Sequence, residues 1–526
     1  GDIDSLTRML GDIQLDHQGR RIQGMRMQDI GDVYAVNGWE AMPYDNHSGI
    51  VDDYRNIKGN VNTFGRYTRP AFLAVCPRTQ FTCPNDSLSV DIYAVNELNF
   101  KGAYLLQLKM VSPSGQQSNP LSTRVNLAGG ETFGQLLLNA VDLVTGDEEG
   151  LYCINASLYD GNGNVVMDGY DEILVLNDSY KNVCFGKGAF YGSEDSPVRK
   201  YYTHVTGCEL PLYQETMDKL DWVIVSRSML DEPQPVPVNA VSEDGFTATY
   251  FRYHDIADPA TTVKEPFINH TFVDGEQPHS SLPANQSFSV IWNGSIVAPA
   301  DGVYMLGVKS DRGIRCKING NTIADDWGNQ TERTEAKPFN LHKGQKVNIE
   351  IQYRQTKTSG YVQLVWTLPG QSEVSPKSFF DRAKRDGTRV VILDNADSWI
   401  SDACAAANVK YNGFYTVGRN WIGGVHFVKD DPLFDKMPVN VGMGWPYQAL
   451  VRDGDRRVGF EMEGDDMIVG SYRSWAFHLG SALGKLKCGK GEIIYNTLDI
   501  SDNLLRDDSS ASVARRLFFN LLNAKK

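Results

Sequence analysis

No run of eighteen consecutive apolar residues occurs in this chain, so no segment reads as a membrane span. It also lacks any long basic stretch: 51 Lys plus Arg face 65 Asp plus Glu, a formal net charge of −14. That balance argues against nucleic acid as a partner, because such binding requires neutralised phosphates. The first residues, GDIDSLTRML, carry neither a basic n-region nor an apolar core and do not form a signal peptide. With no initial Met, the sequence is read as processed or as an internal piece of a longer product. There are eight cysteines but no CxxC pair of the kind that suggests zinc. Only Cys76 and Cys83 lie close together, which leaves a bridge between them open. Most of the others are expected to be buried thiols that pack like small apolar side chains. There is no HExxH, and the nine His are scattered. The Gly-x-x-x-x-Gly-Lys-Ser/Thr frame is missing too, so GKGEII (489–494) is expected to be a tight turn before a strand and not a phosphate loop. No cofactor and no metal is implied.

What is present is ordinary globular composition, 41% hydrophobic and 22% charged. The 526 residues suffice for three or four domains of roughly 150 residues each. From Thr68 to Asn177 alternating segments such as SLSVDIYAVNE and AYLLQLKMVS follow one another, with Asp160-Gly161-Asn162-Gly163 as a strong hairpin signal. This stretch predicts a β-sandwich. From Lys181 the texture becomes strand, helix, strand, ending in KLDWVIVSRS, with apolar runs suited to a sheet buried on both faces. The proline-rich DEPQPVPVNAVSEDG predicts an extended linker. Residues 246–368 are β again. After Pro376 come a short helix ending on Gly387, a buried strand in TRVVILDNAD, and a closing amphipathic helix with Ser at its N-cap.

An α/β stub of about sixty residues is too small to bury its own sheet. The pattern therefore predicts one doubly wound domain split by an inserted β module, since loop insertion costs little closure entropy. On this reading Val183 and Val390 lie in neighbouring strands of a common sheet.

Three resemblances give these segments names. VIWNGSIVAPADGVYMLGVKSDRGIRCKINGNTIADDW, KGQKVNIEIQYRQ and GYVQLVWT resemble the protective-antigen-type lectin-like β-sandwich, whose members commonly bind carbohydrate, though some are spacers. Where many relatives carry Ser-Asp-Asp-Gly, this chain has Ser310-Asp311-Arg312-Gly313. Arg in place of an acid removes a hard oxygen ligand and disfavours calcium. Asp311, Arg312, Asp325, Asp326 and Trp327 are the carbohydrate-binding candidates. For Trp327 and the Asp pair, a core side chain and a chain turn are the structural alternative. YAVNGWEAMPYDNHSGIVDDYRNIKG, RYTRPAFLAV and DIYAVNELNFKGAYLL resemble the end of the catalytic barrel and the following immunoglobulin-like domain of glycoside hydrolase family two, the β-galactosidase-like enzymes. GAFYGSEDSPVRKYY, DDPLFDKMP, GWPYQAL and GKGEIIYNTLDI resemble a glutamine-amidotransferase-like domain. The Gly-x-Cys-x-Gly elbow of true amidotransferases is missing: Cys404 lies in a helical pattern and Cys488 lacks the preceding glycine. That copy is expected to be structural.

The expected fold class is therefore multidomain, β-rich plus α/β. Its parts are a barrel remnant (1–66), an immunoglobulin-like sandwich (67–178), a discontinuous α/β domain (179–243 and 374–526) and an inserted lectin-like sandwich (244–373). A (β/α)₈ barrel needs about 250 residues, and retaining glycosidases need two carboxyls about 5–5.5 Å apart. Neither fits into the remnant, so no catalytic residue is assigned. The resemblance implies substrate contact for Trp39, Glu40, Asp45 and His47. A turn-capping role is the plainer alternative for His47. Glu461 and Glu463 are expected on a solvated strand face, and Asp430, Asp431 and Asp435 in a surface acidic turn. The implied partner is an oligo- or polysaccharide in a periplasmic or extracellular setting. A homo-oligomer through the α/β domain is compatible with the resemblance.

Overall fold

A computed structural model describes residues 3–30, 49–51, 55–177, 180, 183, 185–227, 236–238, 244–328, 331–356, 359–369, 377–416, 424–451, 458–473 and 478–523. The protein is multidomain and β-rich with an α/β portion. It divides into two compact units, one of Gly1–Ser226, Phe379–Asp394 and Ala403–Lys526, the other of Arg227–Ser378 and Asn395–Asp402.

In the first unit, strands Ala71–Pro77, Ser87–Asn96 and Gly134–Val144 form one antiparallel sheet. Strands Leu121–Leu127, Gly102–Val111, Gly150–Tyr159 and Val165–Val175 form a second, closed at its edge by Phe81–Thr82. Strict alternation buries Leu106, Leu108, Ile154, Ala156 and Leu158 between the sheets. The Asp160 carboxylate accepts from the amides of Asn162 and Asn164, both at 2.8 Å, and shapes the hairpin that the sequence signals.

The unit's other sheet has ten strands. Gly188–Tyr191, Trp222–Val225, Arg389–Ile392 and Gly491–Asn496 run parallel in that spatial order, and antiparallel strands continue beyond Gly491–Asn496. Helix Pro197–Thr206 makes the first crossover. Val390 lies between the strands of Val223 and Ile493, and Val183 is in no strand. Val183 precedes the sheet because Gly186, at φ +89°, turns the chain and the Lys187 amide donates to Asp221 at 2.7 Å before the strand can begin. Helix Lys377–Asp386 stops at Gly387, whose φ of +80° only glycine adopts readily. The closing helix, Ser512–Leu522, differs from expectation. A short 3-10 turn, Ser509–Ala511, leads into it, and Ala511 holds the N-cap position with no side-chain cap.

A helix that the sequence reading missed, Ile3–Met27, ties this unit together. Leu6 and Leu10 pack with Val425, Phe427 and Tyr472 of the α/β sheet. Farther along, Arg20 donates to both carboxylate oxygens of the buried Asp171, at 3.0 and 2.8 Å, and so binds the sandwich. Tyr180 stacks on Phe519 with ring centroids 3.8 Å apart, joining the end of the sandwich to the last helix. Cys76 and Cys83 are free thiols.

The second unit is a two-sheet sandwich. Six strands run in the order Pro259–Glu265, Phe246–Phe251, Phe288–Val297, Lys346–Gln355, Gly313–Ile318, Asn321–Asp326. In the facing sheet, Gly360–Thr367, Gly302–Ser310 and Arg333–Leu341 lie side by side, and Asn269–Phe272 also pairs with Gly360–Thr367. Val236–Pro237, expected as linker, pairs with Val365 and Trp366 as an edge strand, a place where proline's missing N–H is tolerated. Trp292, Tyr304, Tyr353 and Trp366 fill the core.

Candidate functional site

Register places five turns of the second unit at one end of the sandwich. Phe251 lies opposite Ser289, Phe272 opposite Gly360, Phe288 opposite Gln355, Ser310 opposite Val362 and Gly313 opposite Arg354. Segments 252–258, 273–287 and 311–312, and the described residues 327–328, 331–332, 356 and 359, therefore leave the sheets on the same side.

A cavity of about 110 Å³ opens there. Phe272 and Phe288, both buried, form its floor, and Glu276, Gln277, Asn285, Gln286 and Gln355 carry polar groups to its wall. Gln355 points inward because Lys346–Gln355 alternates, with Val347, Ile349, Ile351 and Tyr353 in the core. Its Oε1 accepts from the Tyr353 hydroxyl at 2.6 Å. Asn285 adopts φ +58° and accepts from the Gly275 amide at 2.8 Å, which closes the loop around the opening.

Behind the wall lies a buried polar cluster. Glu265 accepts from the Tyr250 hydroxyl at 2.8 Å and from Trp292 Nε1 at 2.6 Å. His270 Nε2 stands 3.0 Å from the second carboxylate oxygen of Glu265, too bent for a regular hydrogen bond but close enough to pair with it when protonated. The His270 ring lies against Trp292 and Phe272, 5.4 and 5.8 Å away, and borders the cavity. Burial pushes the Glu265 pKa up, yet the interactions with His270, Trp292 and Tyr250 outweigh it and hold the carboxyl below its ordinary range. Nothing in the sequence marks this group, whose members come from four separate strands.

The five residues singled out in this module are divided between places. Asp311 and Arg312 form the turn beside the cavity. The Asp311 carboxylate accepts from the Tyr361 amide at 2.7 Å, and the buried Arg312 guanidinium donates to the Ser359 carbonyl from Nε at 3.0 Å and Nη2 at 2.6 Å. Its Nη1 reaches the Asp311 carbonyl at 2.8 Å and stands 3.2 Å from the Asp311 carboxylate. A cation thus already sits on these oxygens. Gly360 completes the packing: a Cβ there would lie 2.8 Å from Arg312 Cγ and 2.6 Å from the Tyr353 hydroxyl. Asp325 and Asp326 do not act as a pair. Strand alternation sends Asp325 to the outer face, where Arg315 Nε donates to it at 3.0 Å, and Asp326 toward Arg333 at 3.3 Å. Trp327 is half-buried, with Arg315 over its ring at 4.7 Å. Trp39, Glu40, Asp45 and His47 lie outside the described residues.

Elsewhere the geometry is structural. Glu463 pairs with Lys410 at 2.6 Å, and Asp431 caps the turn Pro432–Phe434 and pairs with Lys485 at 2.8 Å. Burial pushes the Cys404 thiol up to about 12 and raises that of Cys488, the opposite of an activated nucleophile. Among the described residues no group of three or more His, Cys, Asp and Glu could hold a metal ion. No described helix is long and apolar enough to cross a membrane.

Residues 242–378, which contain the whole cavity, match the family model of the PA14 domain. The chain carries a PA14 domain. This agrees with the lectin-like module expected from the sequence. Over 179 residues the chain is 26% identical to the Anti-sigma-I factor RsgI3 of Acetivibrio thermocellus, a match covering 34% of this chain and 27% of that protein's length. Similar solved structures include an anti-sigma factor domain-containing protein from Clostridium clariflavum. It is 15% identical, with a TM-score of 0.23, and the match covers 58% of this chain and 87% of that one. A PA14 sugar-binding domain from an RTX adhesin is 19% identical, with a TM-score of 0.21, over 25% of this chain and 93% of its own.

Proposed function

We propose that this chain binds carbohydrate through the cavity at the loop end of its PA14 domain. The observation that supports this most is the composition of that cavity. Phenyl rings offer a surface for the C–H face of a pyranose. Amide side chains around them offer a donor and an acceptor each, the pairing that adjacent sugar hydroxyls require. The experiment is a glycan array probed with the full chain and with Gln277→Trp, which places an indole over the opening from an exposed position. Retention of the full chain on a restricted set of glycans, lost in the variant, is the expected result. Retention on none, or retention indifferent to the substitution, overturns the reading.

We further propose that the chain is the non-catalytic accessory portion of a β-galactosidase-like glycoside hydrolase, in a periplasmic or extracellular setting. The boundaries 1–66, 67–178, 179–243 with 374–526, and 244–373 belong to this proposal, as does the amidotransferase-like character of the split domain. It rests on the resemblance of residues 34–180 to the later part of those enzymes. The full chain should show no turnover of aryl β-glycosides, and activity lost in Glu40→Gln would contradict it. A second reading, a glycan-binding module attached to a regulatory protein, is favoured by the similarity to the Anti-sigma-I factor RsgI3. A stand-alone glycan-binding or surface-assembly protein is the third.

A further inference from the structure

The outer face of the six-stranded sheet carries an arrangement that the cavity does not use. Along Gly313–Ile318 the outward side chains are Arg315 and Lys317, and along Lys346–Gln355 they include Glu350, Gln352 and Arg354. Charges on this face match across the strands: Arg315 bonds Asp325, and Lys317 lies opposite Glu350. Arg354 is the exception. No carboxylate among the described residues comes within ion-pair distance of it. Among the described residues its buried Nε has no hydrogen-bond partner, and its Nη1 reaches the Trp327 carbonyl at 3.5 Å. A contact of 3.5 Å leaves a guanidinium donor poorly satisfied, so the Nη groups of this half-buried side chain have capacity for a ligand acceptor.

Arg354 has company. Its Cζ lies 5.9 Å from the centroid of the Trp327 ring, over which Arg315 also sits at 4.7 Å. Gly313, opposite Arg354 in register, lets this happen: a Cβ there would lie 2.3 Å from the Trp327 carbonyl oxygen. Arg315 spends its Nε on Asp325, and both its Nη groups carry no hydrogen bond among the described residues. Two guanidiniums with unused donors thus converge on one indole. A neutral pyranose stacking on that ring must displace a guanidinium. A sugar bearing a carboxylate can leave both in place and bridge them, since guanidinium and carboxylate match fork to fork.

We propose that Trp327, Arg315 and Arg354 form a second subsite, selective for acidic sugars, in which a uronate carboxylate bridges the two guanidiniums beside the indole. This rests on the reading of the PA14 domain as a carbohydrate binder and adds the class of sugar. The formal net charge of −14 does not forbid it, because charges farther away than about 8 Å are largely screened at physiological ionic strength.

The test is calorimetric titration of the full chain with trimers of galacturonate and of alginate, each beside its carboxyl-reduced counterpart, and with a heparin tetrasaccharide. The expected result is tighter binding of at least one uronate trimer than of its reduced form, by about tenfold for one charge-assisted contact. The preference should shrink with added salt and vanish in Arg354→Gln, whose melting temperature should stay close to that of the parent. Arg315→Gln should weaken it in part. Equal affinity for acid and reduced forms, or a preference indifferent to Arg354→Gln, overturns the subsite. Tighter binding of heparin alone, with no uronate preference, overturns it as well. Because Gln277→Trp reports on the cavity separately, glycan binding lost in that variant sustains the broader reading even when the acidic preference is absent. Failure of every saccharide to bind removes both.

Discussion

Val223 and Val390 face each other across adjacent parallel strands, although the whole PA14 domain lies between them in sequence. Both are fully buried. Substituting Asp for Val390 places an uncompensated charge in that sheet, which costs several kcal/mol, about what a whole domain has to spare. Hydrogen exchange on the intact chain carrying Val390→Asp should show protection lost together in 188–191, 222–225 and 491–496. Loss confined to 389–392 would mean that these strands do not share a cooperative unit.

The bidentate contact between Arg20 and Asp171 yields a second prediction. Asp171 is 6% exposed at its side chain, so Arg20→Ala leaves a buried carboxylate without its cation. A loss of about 3 kcal/mol is expected from breaking such a pair, and urea denaturation measures it. Asp171→Asn in the Arg20→Ala background should recover part of that loss. A change below about 0.5 kcal/mol in Arg20→Ala would show the contact to be superficial.

Glu265 makes the PA14 domain sensitive to acid. Its carboxyl titrates lower in the folded state than in the unfolded chain, where Glu titrates near pH 4.3. The unfolded state therefore binds more protons through that window, and stability rises with pH there. The stabilisation is present above that pH and disappears as pH falls through the folded value. Glu265→Gln should flatten this acid slope and, at neutral pH, lower stability by about 2 kcal/mol through loss of charge-assisted hydrogen bonds. An unchanged slope in melting temperature between pH 6 and pH 3 would contradict the role of this carboxylate.

Chelation gives a fourth. Arg312 already places a cation on the oxygens of Asp311 and Ser359. Excess EDTA should leave both glycan retention and melting temperature unchanged. A chelator-dependent loss of retention, restored by calcium, would show that this turn works otherwise.

How much of this could be read in the sequence depends on how far apart the deciding residues lie. The Asp160–Gly163 hairpin and the Gly387 helix stop are local, so a few residues suffice. Asp325 and Asp326 were legible only in part. Their composition suggested a paired acceptor, but the period of two in a strand parts them, and only the register against Ile314 and Arg315 shows which way each points. Helix Ile3–Met27 escaped notice because it meets two partners, with Leu6 and Leu10 against the α/β sheet and Arg20 and Arg26 against the sandwich. Its buried positions therefore form no single apolar stripe. The cavity was invisible for a related reason. Phe272, Gln277, Asn285 and Gln355 come from three separate segments, and a polar loop such as 273–287 looks like any other connection.

The most direct test of where carbohydrate binds is amide exchange on the intact chain, with and without a glycan retained on the array. Binding at the cavity should slow exchange across 270–288 and leave 188–225 unchanged. Protection that appears only in the first unit, with 270–288 unaffected, would contradict the account.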